Sequence, residues 1–274
     1  MSGLSPKARV DLHMHSNRSD GRYSAEEVLR RALLGGLDVL ALTDHDLAPG
    51  LAPGLWKAGD RTLHVVHGAE LSGTHEGREL HLLVYFPGQM PASFVDFCTA
   101  RAQYRARRYA DAVVAIGEPA LRGPDAQAIA GERSLTRLHL AQALVDAGIA
   151  TSWSHAFTRW AGESAGILPP FDLSFVEAIS VARAAGAFTS WAHPDPDDAQ
   201  RWAGVFAAAG LHALEALRPG IGRGVRDTLS RLAHKHGMSV TGGSDWHGWQ
   251  AGELGAFSVP ARQLDPFLRA VGLD

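Results

Sequence analysis

Four short clusters of histidine and acid punctuate the chain: Asp11-Leu12-His13-Met14-His15, Thr43-Asp44-His45-Asp46, Ala192-His193-Pro194 and Gly243-Ser244-Asp245-Trp246-His247. Each directly follows a run of apolar residues. An apolar run of strand length suits a sheet covered on both faces, and a polar cluster that closes it lies where the strand leaves the core. If these runs lie parallel in one sheet, all four clusters emerge at one end, where an α/β barrel carries its active site. Imidazoles and carboxylates converging there suit divalent ions, and water held between such ions becomes a nucleophile near neutral pH. The pattern predicts a metal-dependent hydrolase.

The elements between the clusters support an α/β chain. Val10 to His13 reads as a first strand, and Ser24 with Glu27 has the spacing of a capping box opening a helix that ends near Gly35-Gly36. Leu37 to Thr43, Leu63 to Ala69 and Leu80 to Phe86 read as three more strands. From Phe94 to about Gly117, and again from Ser134 to Ala147, apolar residues recur at helical spacing with no strand pattern between, which predicts a helical insertion over 94–170. After Pro169-Pro170 the alternation resumes. Helices are predicted over Leu173–Ala185, Ala199–Ala209 and Gly222–His236, and strands over Ala187–Ala192, Leu211–Leu217 and Met238–Thr241. Seven strands are thus predicted, in a barrel formed by 1–93 and 171–274.

The candidate ligands are His13, His15, Asp20, His45, Glu70, His81, His193, Asp245 and His247. His13 and His15 share one face of a strand because side chains alternate with a period of two. Asp20 lies in the turn Ser19-Asp20-Gly21, from which its carboxylate can return over the site. Asp44-His45-Asp46 closes a buried run, where ionisable groups are costly unless paired or metal-bound. Glu70 ends an apolar run and is placed to bridge two ions, and His81 opens the next. The set holds nitrogen and oxygen donors and no sulfur, which suits Mn, Fe or Zn. Nine ligands imply two or three ions, an arrangement suited to clamping a phosphoryl group while a bridging hydroxide attacks in line.

Composition narrows the alternatives. The net charge of −3, from 26 basic and 29 acidic side chains in 274 residues, supplies no extended basic field for long nucleic acid. A small phosphorylated substrate is expected. The single cysteine, Cys98, permits no internal disulfide. No apolar stretch has the length of a signal core or a membrane span, so a cytoplasmic, membrane-free protein is expected. Oligomeric state is not legible.

In content and order, these motifs resemble those of the PHP (polymerase and histidinol phosphatase) family, from Asp11 to about Gly248. The resemblance implies a distorted seven-stranded (β/α)7 barrel. Arg101 and Arg105, with Thr136-Arg137-Leu138-His139, are similar to stand-alone PHP phosphoesterases carrying a helical insertion, a branch that acts on nucleoside 3′,5′-bisphosphates and on short RNA from the 5′ end. It further implies His13, His15, Glu70 and Asp245 around one ion, Glu70, His81 and His193 around a second, and Asp20, His45 and His247 around a third. Asp245 and His193 are then catalytic as well as ligands. Arg101, Arg105, Arg137 and His139 would face phosphates, and His139 would protonate the leaving oxygen. One departure is local. After Leu211–Leu217, where many relatives place an aromatic, asparagine or histidine segment behind a glutamate, this chain has Glu215 and then Arg218-Pro219-Gly220, with Arg218 a candidate phosphate contact. Trp246 is a candidate base-stacking residue or a packing residue.

Three other readings stand beside this one. A phosphatase of another small phosphomonoester, such as histidinol phosphate, would use the same ligands. An amidohydrolase shares His-x-His after the first strand but commonly bridges its metals with a modified lysine, and neither Lys7, Lys57 nor Lys235 lies at a suitable strand end. A non-catalytic, metal-stabilised interaction domain would lack several ligands, whereas all nine positions are filled.

Overall fold

The computed structural model describes residues 4–249 and 251–273. Of the predicted barrel segments, residues 1–3, 250 and 274 lie outside the described residues. The chain opens with β1 (Arg9–Asp11), α1 (Ala25–Leu34) and β2 (Val39–Leu42), followed by β3 (Gly54–Ala58), β4 (Arg61–His75) and β5 (Arg78–Phe86). The helical segment comprises α2 (Ala92–Ile116), α3 (Ala126–Ala130), α4 (Arg137–Asp146) and α5 (Trp153–Ala156), with a π-helical turn at Phe157–Ala161. Alternation then resumes through α6 (Phe175–Ala184), β6 (Phe188–Trp191), α7 (Pro196–Ala208), β7 (Ala213–Leu217), α8 (Arg223–Lys235), β8 (Ser239–Gly242), β9 (Val259–Pro260) and α9 (Asp265–Ala270).

All seven predicted strands are present, as β1, β2, β4, β5, β6, β7 and β8, and with the unpredicted β3 and β9 they make a nine-stranded sheet in the order β8-β7-β6-β5-β4-β2-β1-β9, β3 pairing with β4. The sheet curls towards closure. Beyond the strand ends Met14 bridges Trp246 in parallel register, and the Leu12 N–H donates to Gly242 O at 3.3 Å. Gly242 and Gly243 permit this crossing: a Cβ on Gly242 would lie 2.2 Å from Leu217 O, and one on Gly243 would lie 2.4 Å from His13 Cβ. Only glycine allows the backbones so close.

The four runs that end in the clusters, β1, β2, β6 and β8, all point the same way, whereas β5 is antiparallel to both β4 and β6. An apolar run carries no sign of its direction. The reversal serves the site: His81, at the start of β5, lies at the same end as the clusters that close β1, β2, β6 and β8. β4 is also longer than its apolar half. Its first part pairs with β2 and its second part, from His67 to His75, with β5, so Glu70 sits within the strand rather than at its end. Ser24 caps α1 by accepting from the Glu27 N–H, but the Glu27 carboxylate binds Arg30 and Arg31 instead of completing the box.

Period-two alternation divides the strands between two apolar layers. Val10, Leu12, Val39, Ala41, Leu83 and Tyr85 meet inside, where Phe267 of α9 closes the floor against Tyr85 at a ring separation of 4.9 Å. Leu82 and Val84 face outward to α6 and its neighbours. The helical segment has a separate apolar cluster including Tyr109, Leu140 and Leu144. α2 joins the two, with Phe94 and Cys98 in the barrel's outer layer and Ala106 to Ala112 in the helical cluster.

Candidate metal centre

The nine predicted ligands converge at the barrel mouth around Glu70. Its Oε1 lies 3.4 Å from His13 Nε2, 3.1 Å from His81 Nδ1 and 3.2 Å from His193 Nε2. Its Oε2 lies 3.3 Å from His15 Nε2 and 3.0 Å from His45 Nδ1. Asp245 Oδ1 is 3.3 Å from both His13 Nε2 and His15 Nε2. On the far side, Asp20 meets His247 Nε2 at 3.2 Å and His45 Nε2 at 3.5 Å, with His15 Nδ1 at 3.7 Å.

Donor atoms fall into groups compact enough to share an ion: His13, His15 and Asp245; His45, Glu70 and His81; and His15, Asp20, His45 and His247. These groups overlap more than the resemblance implies. His15 and His45 each turn one ring nitrogen towards Glu70 and the other towards Asp20.

The donor set fits divalent ions. His13 Nε2, His15 Nε2, His45 Nδ1, His81 Nδ1 and Glu70 Oε2 are buried and make no hydrogen bond. Orphaned buried polar atoms are rare because each costs roughly 1–3 kcal/mol. Elsewhere on several rings, the second nitrogen is occupied, so the inward nitrogen is the one available to an ion once it gives up its proton. His13 Nδ1 binds Glu215 at 3.0 Å, His247 Nδ1 binds Asp245 O at 2.9 Å, and His81 Nε2 faces Glu79 at 3.4 Å. Such outer partners set the tautomer that a metal-binding imidazole needs.

The protonation of the metal-free cluster has the same origin. Burial opposes charging of His13, yet Asp245, Glu215 and Glu70 hold its pKa well above the usual value. Burial likewise opposes His81 and His247, and their carboxylate neighbours push them up to about 10 and about 9. Burial would raise Asp20, Glu70 and Asp245, but the imidazoles around them hold all three well below the ordinary range. His45 goes the other way, because burial outweighs its two acids. Protons occupy places between donors that a divalent ion would take, so metal entry releases protons.

The supporting acids are distant in sequence. Asp44 accepts from Ser16 N, Ser16 Oγ and Ser19 Oγ, at 2.8, 2.7 and 2.6 Å, and so folds the turn that carries Asp20. Asp11, pushed up to about 6 by burial, holds the last cluster through the Ser244 N–H at 2.8 Å. Glu215 is the residue whose role sequence reasoning missed: besides His13 it accepts from the His193 N–H at 2.8 Å, joining ligands on two strands. Its signal was an acid inside the apolar run Ala213-Leu214-Glu215-Ala216-Leu217. Asp46, His193 and Asp245 adopt positive φ of 48°, 33° and 52°, conformations that non-glycine residues keep only where the surroundings enforce them.

A cleft beside the cluster is lined by Asp20, His45, Glu79, His81, Arg105 and Arg137, with Phe157 from the helical segment. The predicted phosphate contacts are placed unevenly. Arg105 lines the cleft but is committed elsewhere, donating to Asp46 Oδ2 at 2.6 Å, Leu135 O at 3.1 Å and Ser72 Oγ at 2.6 Å. Arg101 binds Asp172 and packs over Tyr104, leaving Nε and Nη2 without hydrogen bonds. Arg137 donates to Glu79 at 2.6 Å and retains an unbonded Nε. Arg218 donates to Pro194 O at 3.3 Å, also with Nε unbonded. His139 accepts the Thr136 N–H on Nδ1 at 3.0 Å, completing the capping box of α4, and burial lowers its pKa to about 4. It is therefore neutral near pH 7, with its proton on Nε2.

Of the remaining histidines, His67 binds Leu51 O and the Met90 N–H, and His212 accepts the Thr189 N–H. Trp246 is 7% exposed and stacks on Tyr23 at 5.7 Å, a packing role. Lys7, Lys57 and Lys235 are all exposed, Lys57 on β3 and Lys235 at the end of α8, while Glu70 faces five of the imidazoles.

Comparison with known proteins agrees with this geometry. The PHP domain profile matches residues 11–120. The 5′-3′ exoribonuclease Rnm of Escherichia coli strain K12 is 30% identical over 260 residues, covering 90% of this chain and 88% of that protein. A 3′,5′-nucleoside bisphosphate phosphatase of Chromobacterium violaceum is 27% identical, covering 96% and 95%. A crystal structure from Bifidobacterium adolescentis, assigned as a metal-dependent phosphoesterase, aligns at a TM-score of 0.76 and 25% identity over 98% of each chain.

Proposed function

The chain belongs to the PHP-domain family of metal-dependent phosphoesterases, and from that premise we propose that it hydrolyses the 3′ phosphoester of a 5′-phosphorylated nucleotide, free or at the end of a short RNA. A nucleoside 3′,5′-bisphosphate and a 5′-phosphorylated RNA end present the same unit, a ribose with a phosphate at O5′ and an ester at O3′. Relatives named for each substrate support this shared unit. The observation that carries the chemistry is Glu70, whose two oxygens face five imidazoles with unbonded inward atoms among them.

We assign His13, His15, Glu70 and Asp245 to one ion, Glu70, His81 and His193 to a second, and Asp20, His45 and His247 to a third, with Mn, Fe and Zn all suited to the nitrogen and oxygen donors. Bound there, divalent ions supply Lewis acidity and a water of lowered pKa. Arg137 at the cleft, and Arg218 beside Pro194, offer guanidinium groups to the substrate's phosphates. His139, neutral and protonated on Nε2, is a hydrogen-bond donor rather than an imidazolium acid near pH 7. Residues 94–170 form the unit that shapes the pocket.

The test is phosphate release from adenosine 3′,5′-bisphosphate by Mn-reconstituted protein, run beside a 5′-phosphorylated RNA dinucleotide. Turnover of both is expected. Turnover of neither, with Mn, Fe or Zn, overturns the reading. Adding Mn to metal-free protein in weak buffer at pH 7 should also release protons, and a pH-neutral titration would contradict the assigned ligands.

A further inference from the structure

Resting on the nucleotide reading above, we propose that Trp249 is a stacking platform for the substrate's base, completed by Trp153. Among the described residues it is the one aromatic side chain among the large apolar ones left exposed, at 46%. The others, such as Leu34, Val114 and Ile129, are aliphatic. Single exposed aliphatic side chains are ordinary on a soluble protein, whereas an exposed indole beside a catalytic cleft is a ready surface for a base.

Its position is fixed from two sides. Trp249 Nε1–H donates to the carbonyl of Asp20 at 2.7 Å, and the carboxylate of that same Asp20 lines the cleft among the metal ligands. The indole is thus tied to the metal rim within one residue. From the helical segment, Trp153 meets it edge to face at 5.5 Å and 84°, itself held by Nε1–H donation to Gln142 at 2.8 Å. Trp153 and Phe157 are four residues apart where α5 passes into the π-helical turn, and Phe157 lines the cleft. Side chains at this spacing lie on one helix face, so Trp153 connects the exposed indole with the helix face that carries Phe157. The exposed Arg22 guanidinium lies 5.8 Å from the Trp249 ring centroid, adding positive charge beside the platform.

The platform accounts for a function that Trp246 does not supply. Trp246 is buried, while Trp249, three residues later in the same loop, carries an exposed indole tied to the backbone of Asp20. Because the Asp20 backbone that holds the indole carries the carboxylate that meets His45 and His247, the platform stands beside the residues assigned to the metal. Stacking accepts any base, which suits an enzyme that must process an RNA end of any sequence.

The experiment compares adenosine 3′,5′-bisphosphate with the base-free tetrahydrofuran 3,5-bisphosphate on wild type, Trp249→Leu and Trp249→Phe, measuring KM, kcat, bound metal, and calorimetric affinity of metal-free protein for both compounds. Trp249→Leu should raise the ratio of the nucleotide KM to the base-free KM about tenfold, with a parallel change in affinity ratio. Trp249→Phe, which keeps a ring but loses the bond to Asp20, should stay within about twofold of wild type. An unchanged ratio in Trp249→Leu overturns the proposal. So does equal damage in both variants with loss of bound metal, because the indole then acts by holding Asp20. Failure of the wild type to hydrolyse either compound counts against the phosphoesterase reading, and the calorimetric ratio still decides the platform.

Discussion

The metal rim and the pair Arg105 and Arg108 on α2 are both built from buried charge within one mouth, and they are finished in different ways. At the rim, five inward atoms on His13, His15, His45, His81 and Glu70 have no hydrogen bond. On α2, Arg105 spends donors on Asp46, Leu135 and Ser72, and Arg108 on Glu79 and Pro169, while Phe171 packs beneath Arg105 and Arg108 at 4.9 and 4.1 Å. Cluster composition does not separate the two, since each mixes cations and acids. Completeness does: a network that satisfies itself holds structure together, and one that leaves atoms facing each other unsatisfied is completed by a ligand.

The sharpest way to break this contrast is to remove its centre. Glu70→Gln deprives the imidazoles of their shared charge and should lower phosphate release by on the order of a thousandfold or more, with metal content falling in the same preparation. Full activity with full metal content would mean that the rim is structural too.

Next in size is the opposite side of the comparison. Arg105→Ala leaves the buried Asp46 carboxylate uncompensated and should cost about 3–5 kcal/mol of unfolding free energy in urea. If Arg105→Ala unfolds as the wild type does and only raises KM, its guanidinium belongs to the substrate and the distinction fails at that residue.

How much of this was legible in the chain follows from the range over which each interaction acts. The convergence of the nine candidate ligands was legible because ligation demands particular side chains at strand ends, and a strand end is marked locally by the stop of an apolar run. The direction of β5 was not, because Leu80 to Phe86 reads the same either way. β3 is mostly exposed, with no apolar periodicity to announce it, and β9 has only two residues. The arginines show the limit most clearly. Arg101 and Arg105 have the spacing of a binding face, but their roles depend on Asp172 and Asp46, which lie 71 and 59 residues away. No local pattern distinguishes an arginine facing a phosphate from one facing a buried carboxylate.

Glu215 tests whether a complete bond can serve an incomplete cluster. It touches no proposed ion itself, yet it fixes the His13 ring and the His193 backbone. Glu215→Gln should weaken metal affinity by roughly 10–100-fold in chelator competition, the usual cost of losing an outer carboxylate. Its effect on kcat should shrink when excess Mn restores occupancy. A loss of kcat that persists at saturating Mn would instead place Glu215 in the chemistry.

The smallest effect should come from Arg137, which stands between the two regions. It pairs with Glu79 like the α2 arginines, but its side chain is 25% exposed at the cleft and its Nε is unbonded. A partly exposed pair of this kind contributes at most about 1 kcal/mol to stability. Arg137→Ala should therefore unfold close to wild type while raising KM for adenosine 3′,5′-bisphosphate roughly fivefold to tenfold, about the net value of one hydrogen bond at a partly exposed site, with kcat little changed. Arg137→Lys should recover part of the affinity, since it restores charge without the fork. If Arg137→Ala loses stability and leaves KM alone, Arg137 joins Arg105 as a brace, and the proposed phosphate-binding role passes to Arg218 beside Pro194.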